Sequence, residues 1–159
     1  SLVGSEMCIR DSTSSIRRIE GAMLSYHADM TLKNNPFELG MDRLVDLDMD
    51  ADFVSKAALK RIKEEGISQL QVGLEFDGDP LEGSNDELWP ISIDGDVVGR
   101  VTSAIYSPRL EKNIALALIA IDHSAIGTRA TIHTEEGERQ CEVVPKPFHD
   151  PKKAIAATG

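Results

Sequence analysis

Only two cysteines, Cys8 and Cys141, occur in 159 residues, and their neighbours form neither a metal knuckle nor a redox pair. That scarcity points to a reducing, cytoplasmic setting, with Cys141 a small core residue of a strand. Basic residues are also short: 17 Lys and Arg face 27 Asp and Glu, for a net charge of -10. Nucleic acid and anionic membranes both need a basic footprint, so neither is expected as a partner. A small anionic ligand stays possible, since one local basic pocket can oppose the average. No apolar run approaches the roughly 18 residues that cross a bilayer. His27, His123, His133 and His149 are scattered, with no two at helical ligand spacing, so no metal site is expected. Nucleophile elbow, phosphate loop and dinucleotide fingerprint are all missing. Ser103 and Ser107 have no recognisable base in their local sequence.

What remains is an ordinary globular mixture, 41% hydrophobic and 28% charged, long enough for one modest domain with a core. Ser1 to Ser12 reads like a translated sequencing adapter and is set aside. Ile16, Ile19, Met23 and Tyr26 then recur at three to four residue spacing, a helical apolar stripe, with Thr13, Ser14 and Ser15 as cap candidates. Lys33-Asn34-Asn35-Pro36 ends that helix, and a strand is expected near Arg43 to Leu47. Asp52 to Glu65 reads as a helix capped by Asp52. Its buried face is Phe53, Val54, Ala57, Ala58 and Ile62, and Gly66 stops it.

Beyond it, strands dominate. Leu70 to Phe76 is the first, and the Gly, Asp and Pro of Asp77 to Asp86 make an exposed loop. Pro90 to Ile93 and Val97 to Tyr106 flank Asp94-Gly95-Asp96, a hairpin signal. Ile114 to Ile121 is almost continuously apolar, as in a strand buried on both faces. Arg129 to Thr134 and Arg139 to Val144 flank a further turn. Short strands at this spacing predict a small antiparallel barrel, so the fold class is α+β, with a loose tail from Asp150 to Gly159.

Glu20 is the first candidate site residue. On a helical wheel it sits at the edge of the apolar stripe, where a carboxylate can be partly buried at a pocket rim with Tyr26 on nearly the same side. Such a carboxylate accepts paired N–H donors from a flat amino-pyrimidinone ring. The plainer alternative is a solvated helix charge paired with Arg17 or Arg18. Lys60, Arg61 and Lys63, balanced by Glu64 and Glu65, read as a solvated helix face.

Four stretches add a resemblance. Arg18-Ile19-Glu20-Gly21-Ala22 through Tyr26-His27-Ala28-Asp29 is similar to the R-x-E-A-G…Y-G-x-D segment of the glycine cleavage T-protein family. Asn35-Pro36-Phe37-Glu38 and the run Asp52-Phe53-Val54-Ser55-Lys56-Ala57-Ala58-Leu59 resemble its N-P-x-E and D-F-x-G-K-x-A-L. Gly99-Arg100-Val101-Thr102-Ser103, leading into Tyr106-Ser107-Pro108-Arg109-Leu110-Glu111-Lys112-Asn113-Ile114-Ala115, resembles G-x-V-T-S…S-P-x-L-x-K-x-I-A. Lys146-Pro147-Phe148 resembles K-x-P-F. The string Asn34 to Glu38 and the ending Pro147 to Lys153 lean toward the dimethylsulfoniopropionate demethylase-like branch.

The resemblance implies a C-terminal piece of a tetrahydrofolate-dependent aminomethyl or methyl transferase. Residues 13–66 would end its folate-binding α+β domain, 67–150 would form a C-terminal β-barrel, and 151–159 a tail. It further implies that Glu20 binds the pterin ring, with Tyr26 as a second contact. Arg43 would stand in for a family arginine whose stretch here is Asp48-Met49-Asp50. The family's catalytic aspartate lies far N-terminal to R-x-E, so no catalytic residue is expected in this chain and no turnover from it alone. Expected partners are folate, a small one-carbon donor and a lipoyl carrier protein. The alternatives are a non-catalytic folate-binding adaptor, whose K-G-C-Y-x-G-Q-E string is missing, and a barrel module of a larger oxidase.

Overall fold

The computed structural model describes residues 14–150 and 152, so the adapter-like Ser1 to Ser12, the cap candidate Thr13 and all of the tail but Asp150 and Lys152 lie outside the described residues. Six antiparallel strands close into a barrel in the order β1-β4-β3-β2-β5-β6. They are β1 (Gln69–Phe76), β2 (Trp89–Ile93), β3 (Asp96–Ser107), β4 (Lys112–Ala120), β5 (Arg129–Thr134) and β6 (Gly137–Val144). Closure is made by β1 with β6, where Gly73 faces Val144 and Phe76 faces Cys141. A closed sheet has no unpaired edge to protect.

Period-two patterning fills the barrel. Leu74, Ile91, Val101, Ile132 and Val143 point into one cluster with Ala104, Ala115, Ala117 and Ala130. β4 is the strand buried on both faces. Its Ala115, Ala117 and Ile119 face the barrel interior, while Ile114 and Leu116 join Ile19 and Ile105 in a second cluster outside it. Cys141 is a buried, free thiol in the interior. Asp94 and Gly95 both take positive φ, 52° and 92°, as the two-residue hairpin turn between β2 and β3 requires. Gly99 is there for space: a Cβ would lie 2.3 Å from the Leu118 carbonyl oxygen on β4.

The segment before the barrel departs from expectation at three places. The first helix, α1, covers 14–20 in the described residues and stops there. Ala22 adopts φ 51°, the Met23 N–H bonds the Arg18 carbonyl at 2.9 Å and the Ala22 N–H bonds that of Ile19 at 2.9 Å. This left-handed stop closes the helix before the stripe is complete, leaving Met23 and Tyr26 exposed. The strand expected at Arg43 to Leu47 is replaced by a 3-10 turn, Asp42–Leu44, with no partner strand. The second helix, α2, runs Lys56–Glu65, not from Asp52. Its N-cap is Ser55, and none of its residues is buried. Val54 is fully exposed, and Ala57 and Ala58 face solvent. An apolar stripe buries only where a surface lies opposite it, and among the described residues no strand packs closely on α2. Gly66, at φ 84°, ends α2 as its sequence position predicts. Among the described residues no helix is long and apolar enough to cross a membrane.

Candidate functional site

Glu20 is the last residue of α1 and is buried, with 4% of its surface exposed. A carboxylate so placed needs donors. Ser107 Oγ, at the end of β3, donates to Glu20 Oε1 at 2.5 Å. Among the described residues Oε2 has no donor, so one oxygen is held and the other is left to accept. The Glu20 main-chain carbonyl is also held, by the N–H groups of Phe148 at 2.9 Å and His149 at 3.2 Å. The solvated alternative fails, because Arg18 turns to Asp29 and not to Glu20.

Asp29 is a second buried carboxylate, 1% exposed, with four donors. Oδ1 accepts from Thr102 Oγ1 at 2.6 Å and Ser103 Oγ at 2.7 Å. Oδ2 accepts from Arg18 Nη1 at 2.6 Å and the Ser25 N–H at 2.9 Å. Neighbouring strand residues ordinarily point to opposite faces. Here the register of β3 against β4 shifts between Val101 and Ser103, and that bulge lets Thr102 and Ser103 reach the same carboxylate. Arg18 Nη2 closes the cluster on Ser103 Oγ at 3.0 Å. The loop after α1 is thereby tied to the barrel wall.

The N-P-F-E turn docks beside it. Asn35 and Glu38 bond each other's main-chain N–H groups, and the Gln71 N–H of β1 bonds the Glu38 carbonyl at 2.7 Å. Lys146 donates to the Gln71 carbonyl at 2.7 Å and to its side-chain oxygen. Burial pushes the Lys146 ammonium down to about 8, against the opposing pull of the Asp29 charge. Burial likewise pushes the Cys141 thiol up to about 12, which makes it a core group and not a nucleophile. Phe148 lies over Gly73, where a Cβ would come within 3.0 Å of its ring.

The other two expected site residues are not brought to Glu20. Tyr26 is 49% exposed, its ring edge-on to His27 at 4.2 Å. Arg43 is exposed on the 3-10 turn and has no side-chain partner among the described residues. Over the Asp48 to Asp50 stretch the nearby cation is Lys56, whose ammonium caps the carbonyls of Met49 and Ala51. Left-handed backbone falls at two departures from the family pattern. Ala22 and His27, at φ 51° and 75°, stand where R-x-E-A-G and Y-G-x-D have glycine. Sequence reasoning missed Asp29, Thr102, Ser103, Ser107 and Lys146 as parts of one assembly. The only available signal was that all five fall inside the four resembling stretches.

Two other features are weaker candidates. A cleft of about 610 Å³ beside Phe76 and Gln140 carries charges that already pair, Lys112 with Glu75 and Arg129 with Glu142. Ser92 Oγ meets His133 Nε2 at 2.7 Å, but His133 Nδ1 is 3.5 Å from an exposed Glu138 and Ser92 is buried. Among the described residues no His, Cys, Asp and Glu gather in a way that could hold a metal ion.

Comparison with known proteins follows the same lines. The chain is 37% identical over 134 residues to an aminomethyltransferase of Symbiobacterium thermophilum, covering 83% of this chain and 34% of that protein. It is 38% identical over 132 residues to one of Synechococcus sp. strain CC9902, covering 83% and 35%. The chain thus spans about a third of the length of these curated relatives. The crystal structure of glycine cleavage system aminomethyltransferase T from Bartonella henselae superposes with a TM-score of 0.75. It shares 19% identity and covers 84% of this chain and 37% of that one, a likeness of fold. The model of the glycine cleavage T-protein C-terminal barrel domain matches residues 70–150, half of the chain, and the chain belongs to that family.

Proposed function

We propose that the intact protein transfers a one-carbon unit to tetrahydrofolate, with Glu20 gripping the pterin ring. The observation that carries this reading is the Glu20 carboxylate itself, a buried residue with Oε1 held by Ser107 and Oε2 without a donor among the described residues. A flat ring with adjacent N–H donors is the chemistry that such an oxygen accepts. The relatives' names, aminomethyltransferase, favour an aminomethyl donor; a lipoyl carrier protein is the partner proposed to deliver it. The N-N-P-F-E string favours a methyl donor such as dimethylsulfoniopropionate. Residues 13–66 then close one side of the folate pocket against the barrel of 67–150. Tyr26 offers an exposed ring as a second contact, and Arg43, with no side-chain partner among the described residues, a cation for the folate's acidic tail.

Within this scheme Glu20 orients the acceptor nitrogen and moves no proton. Holding two reactants in line can contribute roughly 7–11 kcal/mol toward the barrier. The acid that assists the leaving group lies outside this chain, so these residues alone give no turnover. Titration of the intact protein with tetrahydrofolate, repeated on Glu20→Ala, tests the reading. Loss of a charged partner is expected to cost about 1.5–3 kcal/mol of binding. Unchanged affinity removes Glu20 from the site and the folate reading with it. Methyl or aminomethyl transfer in the presence of each donor then decides the branch.

A further inference from the structure

We propose that Ser107 is the positioning residue that aims the Glu20 carboxylate and restricts it to ligands presenting N–H donors. The inference rests on the folate reading above and adds a residue to it. Ser107 is fully buried at the end of β3. Its Oγ accepts the Leu110 N–H at 3.2 Å, which occupies one lone pair. A hydroxyl has a single hydrogen. With an amide pointing at the oxygen, that hydrogen turns to the neighbour 2.5 Å away, Glu20 Oε1. The hydrogen bond therefore has a set direction, from serine to carboxylate.

Two consequences follow. The carboxylate plane is fixed, because the main chain of Glu20 is anchored by Phe148 and His149 and the tip by Ser107. Oε2, together with the remaining lone pair of Oε1, is presented as acceptor only. A ring edge carrying two N–H groups matches that face, and an edge carrying ring nitrogens without hydrogens meets lone pairs head-on. Ser107 touches neither the ligand nor the reacting atoms, and acts through Glu20.

The test is a double-mutant cycle on tetrahydrofolate affinity in the intact protein, with Ser107→Ala, Glu20→Ala and the pair. Ser107→Ala is expected to weaken binding about five- to tenfold when Glu20 is present, the scale of one lost hydrogen bond. In the Glu20→Ala background it is expected to change affinity less than about twofold. A merely structural serine gives the same loss in both backgrounds, and that result overturns the inference while leaving the folate reading intact. If Glu20→Ala binds like the parent, the folate reading falls and this inference with it. As a second readout, a pterin analogue lacking the 2-amino group is expected to be nearly indifferent to Ser107→Ala. An equal loss for both ligands overturns the claim of selectivity. Ser107→Cys, similar in size and a weak donor, carries the same measurements if the alanine variant does not fold.

Discussion

The barrel and the segment before it are held together by different physics. Residues 69–144 surround a continuous apolar interior, and every strand is paired on both sides. Residues 14–66 contribute few buried apolar groups, chiefly Ile19, Leu39 and Leu47. That leading segment is fastened to the barrel wall through the carboxylates of Glu20 and Asp29 and the main-chain carbonyl of Glu38, each bonded to a named donor. Area holds the first region and directed bonds hold the second. Burial tolerates small shifts because it scales with surface, whereas a hydrogen bond fails within about an ångström. The directed region is therefore where a ligand-binding geometry can be set.

The largest expected effect tests the barrel against the clamp. Leu74→Ala removes a fully buried side chain and is expected to cost roughly 3–5 kcal/mol in urea denaturation, releasing both regions together. Asp29→Ala takes the acceptor from Ser103 Oγ and the Ser25 N–H and leaves Arg18 and Thr102 with their longer bonds to the Met23 and Leu116 carbonyls, at about 2–3 kcal/mol. Hydrogen exchange is expected to show amides of residues 18–30 losing protection while β1 to β6 keep theirs. Loss of barrel protection in Asp29→Ala would break the distinction between the regions.

A smaller effect has the opposite sign. His27→Gly relieves a left-handed backbone at φ 75° and is expected to raise stability by about 1 kcal/mol, seen as a higher Tm. No gain would mean that the His27 contact with Tyr26 offsets the strain.

The finest comparison is by pH. Lys146 falls from 10.5 to about 8 in the fold, so between these values the unfolded chain binds more protons and stability rises with pH. Cys141 rises from 9.0 to about 12, so the fold keeps a proton the unfolded chain loses and stability falls as pH climbs through that window. Of these two groups, only Lys146 acts between pH 8 and 9; the two oppose from 9 to 10.5, and Cys141 alone acts above. Lys146→Met is expected to remove the early rise in the urea midpoint and Cys141→Ala the late fall. A midpoint unchanged by either variant would refute the assignment.

Much of the barrel was legible in the sequence. Asp94-Gly95 specified its hairpin because both positions need positive φ. The run from Ile114 marked β4 as buried on both faces because alanines fit the interior while Ile114 and Leu116 meet Ile19 and Ile105 outside. The leading segment was harder to read. Periodicity ran α1 on through Met23 and Tyr26, since a left-handed alanine at position 22 has no strong sequence signature. The α2 stripe reads in sequence as a buried face, although amphipathic spacing does not say whether a surface lies opposite.

By itself the sequence determined the alternation, the turns and the candidate carboxylate. These depend on local geometry, which repeats every two or 3.6 residues and can be read along a line. Only the tertiary structure decided which donors meet which carboxylates. Ser107 lies 87 residues from Glu20, and Thr102 lies 73 from Asp29. Contacts at such separation are set by strand order, by the bulge at Thr102 and by the crossing of α1 over the outer face of β3 and β4. No short window of sequence encodes them, because they come from packing the whole barrel.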